Sequence, residues 1–223
     1  MRKTAVLLSF ALFALLPGCQ KQELYKDNRA MMGTFVEVAS PSKDAAGIVF
    51  AEFEHIENLL SKYKPESEIS RLNKAGKLQV SPDTFYIIKK CKEFWQATDG
   101  AFDITIGPLV DLWGFTDKKY ARPADTKIKG ALRLVGSDKI ILHDKDNVVE
   151  FMLSGIKIDL GGIAKGYALD CAVKKLKENG ISSCLINAGG QVYCLGDKSG
   201  APWKIAIAAC AVLAVGAIVW WLA

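Results

Sequence analysis

The sequence predicts an α+β fold of antiparallel sheets flanked by helices, on three observations. Apolar residues recur at helical spacing in three separate segments. Short β-rich runs, bounded by turn residues, fill most of the rest. No internal repeat is present. The 223 residues are 50% hydrophobic and 24% charged, a composition of globular domains that excludes collagen, a coiled coil or an acidic disordered chain. The length suffices for one sizeable core without disulfides or a structural metal.

Met1-Arg2-Lys3 and the apolar run Ala5 to Leu16 have the charged and apolar regions of an export signal, too short for a confident membrane span. The run ends in Leu16-Pro17-Gly18-Cys19, which resembles a lipobox, so residues 1–18 are expected to leave and Cys19 to carry lipid. An ordinary signal followed by a chance cysteine is the other reading. Residues 19–30 would then be a polar tether. The formal charge of +5 includes Arg2 and Lys3 and falls to a slight positive balance without them. Acidic and basic residues alternate in Lys62-Tyr63-Lys64-Pro65-Glu66-Ser67-Glu68, which reads as a solvated surface and gives no basic face for nucleic acid.

Met32 to Ala39 alternates as a strand does. Asp44 to Leu60 is helical, with Val49, Phe53, Ile56 and Leu60 on one stripe. Pro65 closes that segment, and Ser67 to Asn73 is a short turn or helix leading to the strand-like Lys77 to Val80. Ser81-Pro82-Asp83 starts a second helix, serine as N-cap and proline just inside, with Phe85, Ile88, Cys91 and Trp95 on one face and an end near Gly100. Ile140 to Leu142, Val148 to Leu153 and Ile156 to Leu160 read as hairpin-linked strands. A third helix from Ile163 to Glu178 stops at Asn179-Gly180. Cys184 to Asn187 and Gln191 to Leu195 are strands around Ala188-Gly189-Gly190.

Six cysteines in an exported chain raise the question of disulfides. Cys91 and Cys171 fall in helical stripes, Cys19 and Cys210 in the terminal segments. Cys184 and Cys194 are left as a pair able to face each other across a hairpin, although buried free thiols are common. His55 and His143 are isolated, so no Cys/His metal cluster is expected.

Two stretches concentrate chemistry. Asp159-Leu160-Gly161-Gly162-Ile163-Ala164-Lys165-Gly166 is a strand end, a glycine turn and a helix start. Its amides and the helix dipole suit a phosphate, and a tight turn packing helix on sheet is an equal reading. It is neither a Walker A loop nor the dinucleotide fingerprint. Asp99 to Phe115 combines carboxylates, a threonine and glycines with aromatics that either enclose a planar ring or feed the core.

Met31-Met32-Gly33-Thr34-Phe35, Ser61-Lys62-Tyr63, Asp99 to Phe115, and Asp159 to Asp170 followed by Asn187-Ala188-Gly189-Gly190 resemble, in this order, the motifs of the ApbE family. Its members are exported bacterial FAD:protein FMN transferases. The resemblance covers about Met31 to Ile207 and implies a magnesium-dependent transfer of FMN from FAD to a Thr or Ser of a partner, with AMP released. The partners it implies are subunits of sodium-pumping or Rnf-type redox complexes, met at a membrane of the bacterial cell envelope where lipid on Cys19 holds the protein. By the same resemblance Met32 and Tyr63 line the flavin site, Ala101, Phe102 and Asp103 contact FAD, and Asp159 and Lys165 hold its other parts. Gly162 matches a backbone-carbonyl ligand of magnesium, an ion that takes oxygen ligands. Asp99-Gly100-Ala101 begins like the acceptor motif, but Phe102 stands where the threonine would be, so self-modification is not expected.

Beyond Pro202 to Ile207 the resemblance is expected to stop, leaving the family's remaining magnesium ligands without counterparts. Ile205 to Ala223 is apolar throughout and as a helix would reach about 28 Å, near a bilayer core. A membrane anchor, a frameshift or truncation product, and a buried part of a shortened domain are the three readings of it. A non-catalytic flavin-binding lipoprotein or remnant is accordingly the alternative to a transferase. A membrane-anchored interaction protein without flavin is the third possibility.

Overall fold

The computed structural model describes residues 23–198 and 200–205. The expected signal, the lipidation at Cys19 and the apolar segment after Ile205 lie outside the described residues.

Two antiparallel sheets and the helices between them make up the described chain. Strand β1 (Tyr25–Met31) pairs with β2 (Thr34–Ser40). The Met32-Gly33 turn joins them with φ of 50° and 72°, the left-handed pair that a two-residue hairpin requires. This corrects the sequence reading twice: the strand begins at Thr34 rather than Met32, and residues 25–30 of the expected tether are sheet. Their exposed side chains mask a strand whose backbone is nonetheless paired along its length.

Helix α1 (Ala45–Leu60) follows β2. Its buried residues Val49, Phe50, Phe53 and Ile56 pack on a sheet face made by Val36, Val38, Ile186 and Ala188. Helix α2 (Glu68–Ala75) is capped by Ser67, whose hydroxyl accepts the Ser70 amide at 3.0 Å. After β3 (Lys77–Gln79), helix α3 (Pro82–Ala97) starts as expected, Ser81 accepting the Thr84 amide at 3.3 Å.

Two short helices, α4 (Gly107–Leu112) and α5 (Asp125–Leu132), were not foreseen. Neither buries an apolar stripe, so periodicity had nothing to reveal. Strands β4 (Ile140–His143) and β5 (Val148–Phe151) pair as expected, but β5's other neighbour is β3.

The third expected strand, Ile156 to Leu160, is not one. Its Ile156, Ile158 and Leu160 are buried, while its backbone bonds go to the start of α4, the 3-10 turn before it and a side chain. Gly107 N–H donates to Lys157 C=O at 3.2 Å and Asp159 N–H to Ile104 C=O at 2.8 Å. The Asn73 amide meets Ile158 on both sides, accepting its N–H at 2.7 Å and donating to its C=O at 2.9 Å, as a neighbouring strand would. A Cβ on Gly107 would lie 2.6 Å from Lys157 O, so only glycine permits this approach.

Helix α6 (Ala164–Glu178) packs along α1, and β6 (Cys184–Ala188) and β7 (Gln191–Leu195) complete the order β1-β2-β6-β7. Cys184 pairs in register with Leu195, and Cys194 with Leu185. The two thiols therefore occupy opposite faces, one buried and one exposed, and are free. Burial pushes the Cys91 and Cys184 thiols up to about 12. Both histidines meet surface carboxylates, His55 with Asp83 at 3.4 Å and His143 with Glu150 at 3.1 Å.

Candidate functional site

A cleft of about 350 Å³ opens where the β1–β2 turn, the end of α1 and the start of α6 converge. Met32, Tyr63, Asp159 and Lys165, four residues expected at a flavin site, line it together with Glu57, Lys62 and Lys64.

Hydroxyls shape the wall after α1. The Ser61 C=O accepts from Ser67 Oγ at 2.6 Å and from Ser70 Oγ at 3.3 Å, and Ser70 Oγ also reaches the Lys62 C=O at 3.0 Å. These bonds turn the chain sharply at the helix end, where carbonyls lack helical partners, and aim Lys62 and Lys64 inward. Glu57 joins the wall to the hairpin, accepting the Met32 N–H at 3.1 Å on one oxygen and pairing with Lys64 Nζ at 3.1 Å on the other. The solvated-surface reading of Lys62 to Glu68 is corrected here. The Lys62 side chain is 9% exposed, and the Glu68 carboxylate accepts the Ser81 N–H at 2.9 Å and Oγ at 2.8 Å. Alternating charge alone could not show which lysine turns in.

On the opposite wall Asp159 spends one oxygen on the Gly161 N–H at 2.8 Å and the other on Lys62 Nζ at 2.8 Å. Lys62 Nζ also reaches Thr116 Oγ1 at 3.2 Å and lies 5.2 Å from the centre of the Tyr63 ring, which is itself 63% exposed. Thr116 donates onward to Asp111, whose other oxygen pairs with Lys157 Nζ at 2.7 Å. Burial works against the Asp111 carboxylate. Hydrogen bonds from Lys157 and Thr116, and the charges of Lys157 and Lys62, outweigh it and hold the carboxyl below its usual range. Lys62, Thr116 and Lys157 went unrecognised as site residues, and no spacing rule marks them.

The glycine turn presents unpaired donors. Among the described residues the amides of Gly162, Lys165 and Gly166 donate to nothing, and Lys165 forms no ion pair. Free amides at the start of a 15-residue helix beside a lysine form an anion-binding geometry.

Ala101, Phe102 and Asp103 do not line this cleft. Phe102 adjoins it, its ring 3.8 Å from where a Cβ on Gly162 would stand. The Asp103 carboxylate instead ties two loops, accepting Thr105 N–H at 2.8 Å, Thr105 Oγ1 at 2.6 Å and Ser137 Oγ at 2.8 Å on one oxygen and Ser137 N–H at 3.1 Å on the other. For magnesium the described residues offer the exposed Gly162 carbonyl, which accepts no hydrogen bond among them. No group of three His, Cys, Asp or Glu side chains suited to a metal occurs among them. One carbonyl does not build a metal site.

Comparison with known proteins places this geometry. The model of the ApbE family matches residues 32–220, running past Ile207 where the resemblance was expected to stop. An FAD:protein FMN transferase of Vibrio cholerae is 29% identical over 215 residues, covering 90% of this chain and 64% of that protein. One from Klebsiella pneumoniae is 31% identical over 179 residues, covering 78% and 57%. Among solved structures, the flavin transferase ApbE from Vibrio cholerae superposes with a TM-score of 0.74 at 28% identity, over 83% of this chain and 63% of that one. The ApbE protein of Thermotoga maritima gives 0.76 at 33% identity, over 82% and 62%. The chain thus spans less than two thirds of the length of these relatives.

Proposed function

The chain belongs to the ApbE family, and on that premise we propose that it acts as an FAD:protein FMN transferase with FAD held in the cleft of Met32, Tyr63, Asp159 and Lys165. The observation that carries the reading is that three separate sequence motifs converge on this one cleft. Tyr63 offers an exposed ring for the planar flavin. Lys165 and the free amides of Gly162, Lys165 and Gly166 face the pyrophosphate, where negative charge grows as the bond between the two phosphates breaks. The acceptor hydroxyl oxygen bonds to the phosphorus on the FMN side as the bond between the two phosphates breaks, its proton passes to solvent, and AMP leaves with the bridging oxygen. For magnesium the resemblance supplies the Gly162 carbonyl as one ligand. Its remaining ligands are not assigned to residues of this chain.

The acceptor is a Thr or Ser of a protein, and subunits of sodium-pumping or Rnf-type redox complexes are the candidates the resemblance supplies. The lipobox-like Leu16 to Cys19 supports a lipid-anchored protein of the bacterial cell envelope.

The test uses the full chain in detergent. Flavin fluorescence titration gives FAD affinity, and mass spectrometry of an acceptor domain follows the gain of one FMN. Asp159→Asn should weaken FAD binding about tenfold or more, the scale of one charge-assisted interaction. An unchanged affinity would remove Asp159 from the site. A second reading is a flavin binder without transferase activity, for which the observation is that the described residues offer one candidate magnesium ligand. FAD binding with no mass gain on the acceptor, with or without magnesium, would establish it.

A further inference from the structure

We propose that Lys62 is a positioning residue that acts in two directions. It holds the Asp159 carboxylate in place, and through Thr116 it fastens the aromatic segment 113–120 beside the cleft. The role of Asp159 toward FAD rests on the function proposed above; the fastening of the segment does not.

A lysine ammonium with a side chain only 9% exposed is costly unless paired and hydrogen-bonded. Lys62 meets that requirement with partners from two other parts of the chain. Asp159 Oδ2 lies at 2.8 Å and Thr116 Oγ1 at 3.2 Å, with the Tyr63 ring face beneath. Its own carbonyl is tied by Ser70 Oγ at 3.0 Å, so the stem starts from a fixed backbone. Asp159 has its second oxygen on the Gly161 amide. With both oxygens engaged, the carboxylate reaches a ligand already oriented, and the ordering cost falls before binding rather than during it.

The other direction concerns a segment with little hold of its own. Trp113, Phe115 and Tyr120 are each at least a third exposed, and Phe115 and Tyr120 stack edge to face at 5.4 Å. The segment's backbone bonds are local: Gly114 N–H to Asp111 C=O at 3.0 Å, Phe115 N–H to Val110 C=O at 3.1 Å and Ala121 N–H to Trp113 C=O at 3.4 Å. They join it to α4 and to itself. The Lys62–Thr116 bond is the side-chain tie from this segment to the α1 wall. Asp159, Lys62, Thr116, Asp111 and Lys157 thus form one line of alternating partners from the cleft to α4.

Four variants of the full chain test the proposal: Lys62→Met, Lys62→Arg, Asp159→Asn and Thr116→Val. Hydrogen exchange without ligand reads the segment directly. Lys62→Met and Thr116→Val should each speed exchange across 113–121 about tenfold, the scale of one hydrogen bond to a charged group. Only Lys62→Met should also expose the Gly161 amide. FAD affinity reads the other direction. Lys62→Met should weaken binding about tenfold, Lys62→Arg should restore it to within about threefold, and Lys62→Met added to Asp159→Asn should cost under about threefold more. Fully multiplying effects in the double variant would mean that Lys62 acts on the ligand without Asp159, and would overturn the positioning role. If the wild-type chain binds no FAD, the functional reading fails on its own. The exchange comparison still decides the fastening, and unchanged exchange across 113–121 in both variants overturns it. Should Lys62→Met not fold, Thr116→Val and Lys62→Arg carry the same comparison without removing a buried charge.

Discussion

Helices α1 and α6 and the cleft that opens at their ends belong to the same stretches of chain, yet they are held by opposite means. Along the helices the contact is apolar, with Phe53, Ile56, Ala168, Ala172 and Leu176 fully buried. At the last turn of α1 and before Ala164 it passes to single polar contacts: seryl hydroxyls on the Ser61 carbonyl, Glu57 on the Met32 amide, Lys62 on Asp159. Apolar packing is non-directional and tolerates small shifts, whereas a hydrogen bond weakens steeply with angle. Helix ends are also where backbone donors and acceptors go unpaired. The scaffold therefore supplies stability, and its ends supply the directional groups a ligand needs.

The largest expected effect breaks the scaffold side of this contrast. Phe53→Ala removes a fully buried ring and should cost about 3–5 kcal/mol of unfolding free energy in a urea titration. FAD affinity of the fraction still folded should change little. Asp159→Asn should do the reverse, lowering affinity with a smaller stability loss. If Phe53→Ala and Asp159→Asn both lowered stability and affinity in parallel, the division between scaffold and site would be wrong.

A middle-sized effect sharpens it. Asn73 stands at the join, one side chain acting as a strand for Ile158 immediately before Asp159. Asn73→Ala leaves two backbone groups without their partner and should cost about 2–3 kcal/mol. Because Asp159 is the next residue, FAD affinity should fall as well. Asn73→Ala is thus expected to move both quantities, and an affinity equal to wild type would show that Asp159 is held from the Lys62 side alone.

The same contrast explains what could be read in the sequence. Helices α1, α3 and α6 were legible because each buries a stripe, and the Ser81 cap because its chemistry is local. Residues Ile156 to Leu160 read as a strand and are not one, because burial and β-rich composition do not say what pairs with a backbone, and here the partners are the Asn73 side chain, Ile104 and Gly107. Strand β1 was missed because its side chains are exposed. Met32, Tyr63, Asp159 and Lys165 were grouped by motif resemblance, and in the fold they line one cleft. Lys62 stands in the Ser61-Lys62-Tyr63 motif without a role assigned to it, because its partners Thr116 and Asp159 lie 54 and 97 positions away. Such a pairing exists only once the chain has folded.

The smallest effect probes the far end of the polar line, where Asp111 bridges Thr116 and Lys157. Its carboxyl is held below the usual range in the folded chain, so the folded state binds its proton less readily than the unfolded state does. The sign follows: its contribution to stability is present above the unfolded carboxylate pKa of about 4 and is lost as pH falls through the lower folded value. The group is largely solvent-screened, so Asp111→Asn should cost only about 0.5–1 kcal/mol at pH 7. Urea titrations of the wild-type and variant chains should draw together as pH falls below about 4, and raised salt at pH 7 should narrow the gap as well. A difference that stayed constant from pH 7 to pH 3 would mean that Asp111 contributes through shape and hydrogen bonding rather than charge. The line from Lys62 to Lys157 would then be a packing feature, with its electrostatic part ending at the Lys62–Asp159 pair.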